Sequence, residues 1–589
     1  MRCPLMLLLC VLMVGCDAMQ AGSMNLNHRV LAEKDSLFAR KPVVGGNPIE
    51  RAPLIAIVEW ESPVEVTAVV KISDGERTWE QKVHQPAKGH RVALLGLRPG
   101  KNHQVRVVAS TTDGQRKEES QRMVFKSPAL PSSFPPIRKR LANAKKMEAG
   151  ITLFAVNHWS KNKSILDYGY IIALDNEGEV VWYCKTDDRI ADMRVMKNGN
   201  ILYQHGSYRF AYEIDILGRD IRCWYADNLT VAPNDQAIAV DIDTMHHELA
   251  ELPNGNLMTL TTEVQKFDAY PTSEVDADAE WRPAFVVCDS LVEFEPGTGK
   301  IIKRLHLTDL LDRKRFGYMA LTGFWKDKYN DYFGEPTRDW SHANAFDYIP
   351  DEDAVLVSFR HLDCVMKVDW KSDRIRWILG DPNGWSREFL PLLLKPKGDI
   401  DWFYHQHAPH LTSRGTLMMF DNGNYRATPF DDVTHAPNNS SRIAEFRIDE
   451  AARTVEQVYE FGRQQGERFY SPFYGEAEVL PQTGNLLITD GGHIELADGT
   501  PSDDVPSERQ WARIFEVTGG DRPEKVFEVD CASPLGSTYG WSIYRAGRYP
   551  SLYSPFQVHA PGLNEHVELF HRGRLEKREL AADQILVAP

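Results

Sequence analysis

The chain has 589 residues, 10% of them aromatic, with 40 glycines, 34 prolines and a formal net charge of -15. That length exceeds one ordinary domain, and the composition is that of a well-packed, turn-rich globular protein. The acidic balance, with no basic patch to overturn it, excludes nucleic acid as a partner.

Residues 1–16 read as a targeting segment. Arg2 supplies a minimal positive start, and Leu5 to Val14 form an apolar run about half as long as a membrane-spanning helix needs. Met13-Val14-Gly15-Cys16 resembles a bacterial lipobox, which predicts cleavage before Cys16 and lipidation of its thiol. Asp17 resembles an inner-membrane retention signal, so the body is expected in the periplasm, held to the membrane by an N-terminal lipid. No later segment is long and apolar enough to span a bilayer. Of the eight cysteines, Cys3, Cys10 and Cys16 lie in the targeting segment, and the remaining five, Cys184, Cys223, Cys288, Cys364 and Cys531, are scattered and form no CxxC pair. An odd count in an oxidising compartment leaves at least one free thiol unless chains pair, and neither a disulfide framework nor a cysteine–zinc site is expected.

Residues 17–48 are polar and irregular and read as a tether. Residues 49–130 read as a small β-sandwich. Ile55 to Trp60 and Val64 to Val70 are rich in β-branched residues and bounded by turn formers. Leu97 to Val107 resembles the fibronectin type III pattern around its tyrosine corner, with His103 where tyrosine is usual. Residues 131–150 carry prolines and then the basic stretch Arg138 to Lys146, which predicts a linker with a short surface helix.

Residues 151–589 repeat two phrases. A turn followed by a short apolar strand occurs at Lys197 to Leu202, Pro253 to Met258 and Gln482 to Leu487. A hairpin ending in an aromatic strand occurs at Asp175 to Trp182, Asp215 to Trp224 and Asp369 to Trp377. Asn-Gly and similar pairs mark tight turns because they tolerate positive φ. Recurring strand–turn–strand units with an aromatic packing element predict a β-propeller, so the fold class is all-β.

Three histidine clusters stand near the starts of these repeats. They are Met245-His246-His247-Glu248-Leu249, Asp339-Trp340-Ser341-His342-Ala343-Asn344-Ala345 followed by Ser358-Phe359-Arg360-His361, and Trp402-Phe403-Tyr404-His405-Gln406-His407-Ala408-Pro409-His410 followed by Phe420-Asp421-Asn422-Gly423-Asn424. In an extended strand, Trp340, His342 and Asn344 would share one face, as would Phe403, His405 and His407. Innermost propeller strands face the central channel, so the clusters are expected to converge there. Imidazoles, an arginine, an asparagine and aromatic walls suit a planar arene carrying a compact anion. His246, His361, His405 and His410 are read as structural.

Taken in order, these motifs, with Arg376-Trp377-Ile378-Leu379-Gly380 between the second and third, resemble the bacterial arylsulfate sulfotransferase family. The resemblance implies a six-bladed propeller with an N-terminal β-sandwich and an active site in the central channel. It implies transfer of a sulfuryl group from a phenolic sulfate to a phenol through a sulfated histidine, with no nucleotide donor and no cofactor. His407 matches the nucleophile and His342 an acid/base. His247, Asn344 and Arg360 match substrate-binding residues, and Thr489 a further polar contact. The family includes dimers. Its members often carry a disulfide in the loop before the nucleophile, yet residues 381–406 contain no cysteine. Trp385, Phe389 and Leu390 to Leu394 are expected to hold that loop by packing. Two other readings stay open: a metal-dependent enzyme with His405, His407 and His410 as ligands to zinc or copper, to which His246, His247 and Glu248 could add, and a non-catalytic binding propeller.

Overall fold

The computed structural model describes residues 35–552, apart from 161–166, 326–327, 330–335, 465, 504–508 and 521. Arg2, the apolar run and Cys16 lie outside the described residues.

The N-terminal unit is one six-stranded antiparallel sheet wrapped around its own core. Its long strand Ala56–Ser73 pairs first with Arg40–Gly46 and later with Asn102–Thr111, while Thr78–Leu94 runs along its other side. Register breaks around Val66 bend this strand. Alternate residues Val58, Trp60, Val66, Ala68, Val70 and Ile72 therefore meet Val92, Leu94, Val105 and Val107 in one buried cluster. His103 is buried edge-on against Trp79, with ring centroids 6.1 Å apart.

Two boundary expectations need correction. The expected tether already belongs to the fold at its end: Leu37 and Phe38 are buried in this core and Arg40–Gly46 is a strand. The basic stretch expected as a linker with a surface helix is instead a strand, Ile137–Ala142, paired with Lys525–Ala532. Its charged residues Arg138, Lys139 and Arg140 are exposed, and Ile137 and Ala142 at its ends pack on a neighbouring core.

Among the described residues, six further sheets of four or five strands follow. Each begins with an inner strand: Ile190–Val195, His246–Glu251, Ala343–Ile349, His407–Leu411, Glu476–Val479 and Tyr539–Tyr549. Each inner strand touches the next, and the last touches the first, so they ring a central channel. This is the propeller. We number blades in chain order; the first uses the C-terminal strand Tyr539–Tyr549 as its inner strand, paired with Ile151–Ser160.

The two repeated phrases occupy equivalent places. The Asn-Gly phrases join inner to second strands in blades two, three and six, and the hairpin phrases join third to fourth strands in blades one, two and four. A buried glutamate of the third strand clamps the first kind of turn. Glu213 accepts from Asn198 (3.0 Å) and Asn200 (2.5 Å), and Glu293 accepts from Asn254 (2.9 Å) and Asn256 (2.6 Å). The aromatic of the second kind reaches the next blade: Trp182 Nε1 donates to Ile216 O, Trp224 Nε1 to Pro296 O, and Trp377 Nε1 to Glu450. Because strands alternate in direction, all these turns lie on one face of the ring. The N-terminal unit docks there, through Arg98 and Arg77 to Asp175 (2.8 and 3.0 Å) and Asn47 Nδ2 to Leu217 O (2.9 Å).

Candidate active site at the channel mouth

The opposite face carries the connections between blades and the loops between second and third strands. His247 lies in a bulge at the start of the third inner strand. His342 immediately precedes the fourth, whose bulge holds Asn344, and His407 opens the fifth, bulged as far as His410. His247, His342 and His405 have φ of 56°, 43° and 55°. Left-handed backbone strains non-glycine residues, and bulges and strain gather where side chains must be aimed. This local geometry breaks the simple alternation expected from the sequence. Trp340 and Phe403 turn into the core between blades, away from His342 and His407.

Five further side chains close the cluster. Arg360 and His361 form a 3-10 turn after the fourth blade's second strand, Asp339 precedes His342, Asn422 follows the fifth blade's second strand, and Tyr208 lies in a loop of the second blade. Ring centroids separate His247 from His342 by 4.9 Å, His342 from His361 by 4.4 Å and His361 from His405 by 5.8 Å. Tyr208 stacks on His247 at 6.0 Å, and Phe324, 45% exposed, meets His342 edge-on at 5.1 Å. His407 faces Tyr544 at 6.3 Å.

Hydrogen bonds orient these rings. His342 Nδ1–H donates to Asp339 Oδ2 (2.6 Å), and His361 Nδ1–H donates to the Asp339 carbonyl (2.7 Å). Arg360 Nη1 donates to His361 Nε2 (2.7 Å) and its Nη2 to Pro472 O (3.2 Å), which fixes the guanidinium. His405 Nε2–H donates to Tyr318 O (3.1 Å). The Nδ1 atoms of His246 and His247 share one proton across 2.8 Å. His407 Nδ1 lies 2.7 Å from Asn422 Oδ1.

Burial, with Arg360 adding to it, pushes His407 down to about 3. Burial likewise holds His247, His342, His361 and His405 well below the ordinary imidazole range, with neighbouring imidazoles and Arg360 reinforcing it. Burial raises Asp339 to about 6. At neutral pH His247, His342, His361, His405 and His407 are neutral imidazoles around one fixed guanidinium. It offers a nitrogen nucleophile, an anion holder, and a carboxylate-backed imidazole that can carry a proton.

Two family profiles match this chain. The arylsulfotransferase Ig-like domain covers residues 43–126, and Arylsulfotransferase (ASST) covers residues 138–541. The chain belongs to the arylsulfotransferase family. Among the curated proteins similar to it, the arylsulfate sulfotransferase AssT of Escherichia coli O6:H1 is 26% identical over 410 residues, 59% of this chain and 64% of that protein. AssT of Lelliottia amnigena is 25% identical over 409 residues, with the same coverage. The matches thus span less than two thirds of those relatives. Among solved structures, the Pseudomonas aeruginosa periplasmic gluconolactonase superposes with a TM-score of 0.30 at 11% identity, over 67% of this chain and all of that one.

Within this family member, His247, His342, Arg360 and His407 gather as the sequence suggested. Asn344 is buried beneath them, with Nδ2 donating to Gln406 O (2.8 Å). The contacts joining the cluster do not include Thr489, which is buried in the sixth blade's second strand, paired with Glu476 and Ile514. Of the histidines read as structural, His246, His361 and His405 belong to the cluster. His410 does not; it lines a separate cavity of about 520 Å³ at the other end of the channel. The alternative ligand set His405, His407 and His410 is therefore not assembled. Asp339, His342 and His361 do place donor atoms within 4.8 Å of one another. There, however, His361 Nε2 already accepts from Arg360, and a guanidinium at that nitrogen opposes a cation. The loop before His407 is held as expected by packing. Trp385 is buried under Arg315, which lies 4.5 Å from its ring, and Leu393 and Leu394 are buried, although Leu390 is 47% exposed. The five cysteines at 184, 223, 288, 364 and 531 are buried and free.

Proposed function

We propose that this protein transfers a sulfuryl group from a phenolic sulfate ester to a phenol, in two displacements through His407 and without a nucleotide donor. The observation that carries this reading is one buried neutral imidazole, His407, within electrostatic reach of Arg360 and His342 at the channel mouth of an arylsulfotransferase. The Nε2 lone pair of His407 attacks sulfur, the N–S bond forms and the S–O bond to the arene breaks. Arg360 holds the sulfuryl oxygens, and the bound anion draws a proton onto His342, backed by Asp339. His342 Nε2–H then protonates the departing phenolate. The acceptor phenol next gives its proton to His342 as its oxygen attacks sulfur and the N–S bond breaks, restoring the enzyme. Phe324 and Tyr208 supply aromatic surface beside His342 and His247 for the arene.

The decisive experiment gives the enzyme a chromogenic aryl sulfate alone, then with a phenol, with no nucleotide added. A burst of one equivalent of phenol, ping-pong kinetics, and the sulfuryl group mapped to His407 are expected. His407→Ala should lose both burst and turnover, a fall of at least about 10⁴-fold. Full activity in that variant, or a sulfuryl group on another residue, would sink the reading.

A further inference from the structure

Nothing so far explains why His407 should attack through Nε2, or why its sulfated form should give the group up again. The answer lies in the residue behind it. Asn422 sits immediately after the strand Leu417–Asp421, buried, with both polar atoms of its side chain engaged. Its Nδ2 donates to two backbone carbonyls, Ser471 O and Tyr474 O, each at 2.8 Å. Those acceptors fix which end of the amide faces which way, because a carbonyl cannot accept from Oδ1. Oδ1 is thereby turned to His407 Nδ1 at 2.7 Å, where it can only accept. The proton of neutral His407 must then sit on Nδ1, and the lone pair on Nε2. The His407 ring bonds to Asn422 through Nδ1, and the His405 backbone also acts on the ring.

We propose that Asn422 is a positioning residue that holds the proton on His407 Nδ1 through the whole catalytic cycle; this rests on the reading of His407 as the sulfuryl carrier. Sulfation of Nε2 with the proton kept on Nδ1 gives a ring that is formally an imidazolium bearing a sulfonate. Its N–S bond breaks readily, since the ring leaves as neutral imidazole. If Nδ1 lost its proton, the ring would have to leave as an imidazolate anion, a far poorer leaving group. A neutral amide oxygen accepts that proton without removing it. A carboxylate in the same place would attract it, stabilise the sulfated ring and slow the second displacement. The clamp by Ser471 and Tyr474 also ties the tautomer to the connection between the fifth and sixth blades.

The test uses the full-length protein, an aryl sulfate donor, and Asn422→Asp and Asn422→Ser beside wild type, with thermal melting to verify folding. Asn422→Asp is expected to keep the burst but accumulate sulfated enzyme. Transfer to the phenol should slow by about 10–100-fold, as for other groups that orient a reacting histidine, and the acid limb of kcat/KM should move to higher pH. Asn422→Ser should slow the burst itself. Equal losses in both half-reactions of both variants, with an unmoved pH profile, would reduce Asn422 to a structural role and overturn the proposal, as would full activity in both. A third measurement needs no variant of Asn422. In protein labelled with ¹⁵N-histidine, the resonances lost in His407→Gln should show a protonated Nδ1 and a bare Nε2, and the reverse tautomer would overturn the proposal. Peptide mapping of sulfated wild type separates the two readings. A group absent from His407 defeats the carrier assignment, whereas a group on His407 with unaltered Asn422 variants defeats only the role of Asn422.

Discussion

At the scale of single residues, the unusual property of His407 is that it resists protonation. An imidazole near its ordinary value of ~6.5 would be roughly 3% neutral at about pH 5, a loss of some 30-fold in nucleophile. Burial and Arg360 lower this group to about 3. The reactive form is the deprotonated one, so a lowered pKa extends activity toward acid. With a donor whose phenolate leaves unassisted, kcat/KM is expected to stay within about twofold between about pH 7.5 and 5. A steady-state pH profile showing a limb near 6.5 would mean that the site does not desolvate its nucleophile. His247, His342, Arg360 and His407 were legible because each stands in a dense local motif. Asn422 stood in the segment that follows the third cluster, but nothing in its spacing shows that its amide oxygen meets the His407 ring. Likewise His361 and His405 were taken as structural, because nothing in their spacing reveals that a 3-10 turn and a left-handed residue aim them inward.

At the scale of elements, the sequence was clearest where turn chemistry is demanding. The Asn-Gly and Asp-containing phrases located connections between first and second and between third and fourth strands, and the tryptophans marked where each blade meets its neighbour. The period-two argument failed at the same inner strands that carry the site, because each starts with a bulge. Regular strands could not have pointed the histidines toward one another. The basic strand Ile137–Ala142 was missed because its partner, Lys525–Ala532, is remote in sequence, and charge alone suggested a solvated surface. The clamp at Glu293 offers a test of how blades are tied together. This side chain accepts from Asn254 and Asn256 of its own blade and from Trp370 Nε1 of the next (3.2 Å). Glu293→Ala strands three donors and is expected to cost about 2–3 kcal/mol, read as a lowered thermal midpoint. An unchanged midpoint would show that the clamp is dispensable.

Over the whole molecule, structure and chemistry separate by face. The N-terminal unit docks on the turn face through Arg98, Arg77 and Asn47, while the imidazoles open on the other. Arg98→Ala, which breaks contacts to Asp175 and Glu177, is expected to lower stability by about 1–2 kcal/mol in thermal melts and leave kcat unaltered. A fall in kcat without unfolding would show that the domain reaches the channel after all.

Closure of the ring has a further consequence for how the protein is made. The first blade has no inner strand until Tyr539–Tyr549 returns to Ile151–Ser160, so contacts such as Trp159 Nε1 to Ser542 Oγ span 383 residues. Tyr544, which faces His407 and donates to the Asn344 carbonyl (2.8 Å), belongs to that strand. A chain folding from its start can build blades two to five, yet it keeps an open ring and an incomplete channel mouth until Tyr539–Tyr549 is in place. Such distant pairing is slow to form. The surroundings of His407 and Asn344 are therefore complete only when Tyr539–Tyr549 shuts the circle.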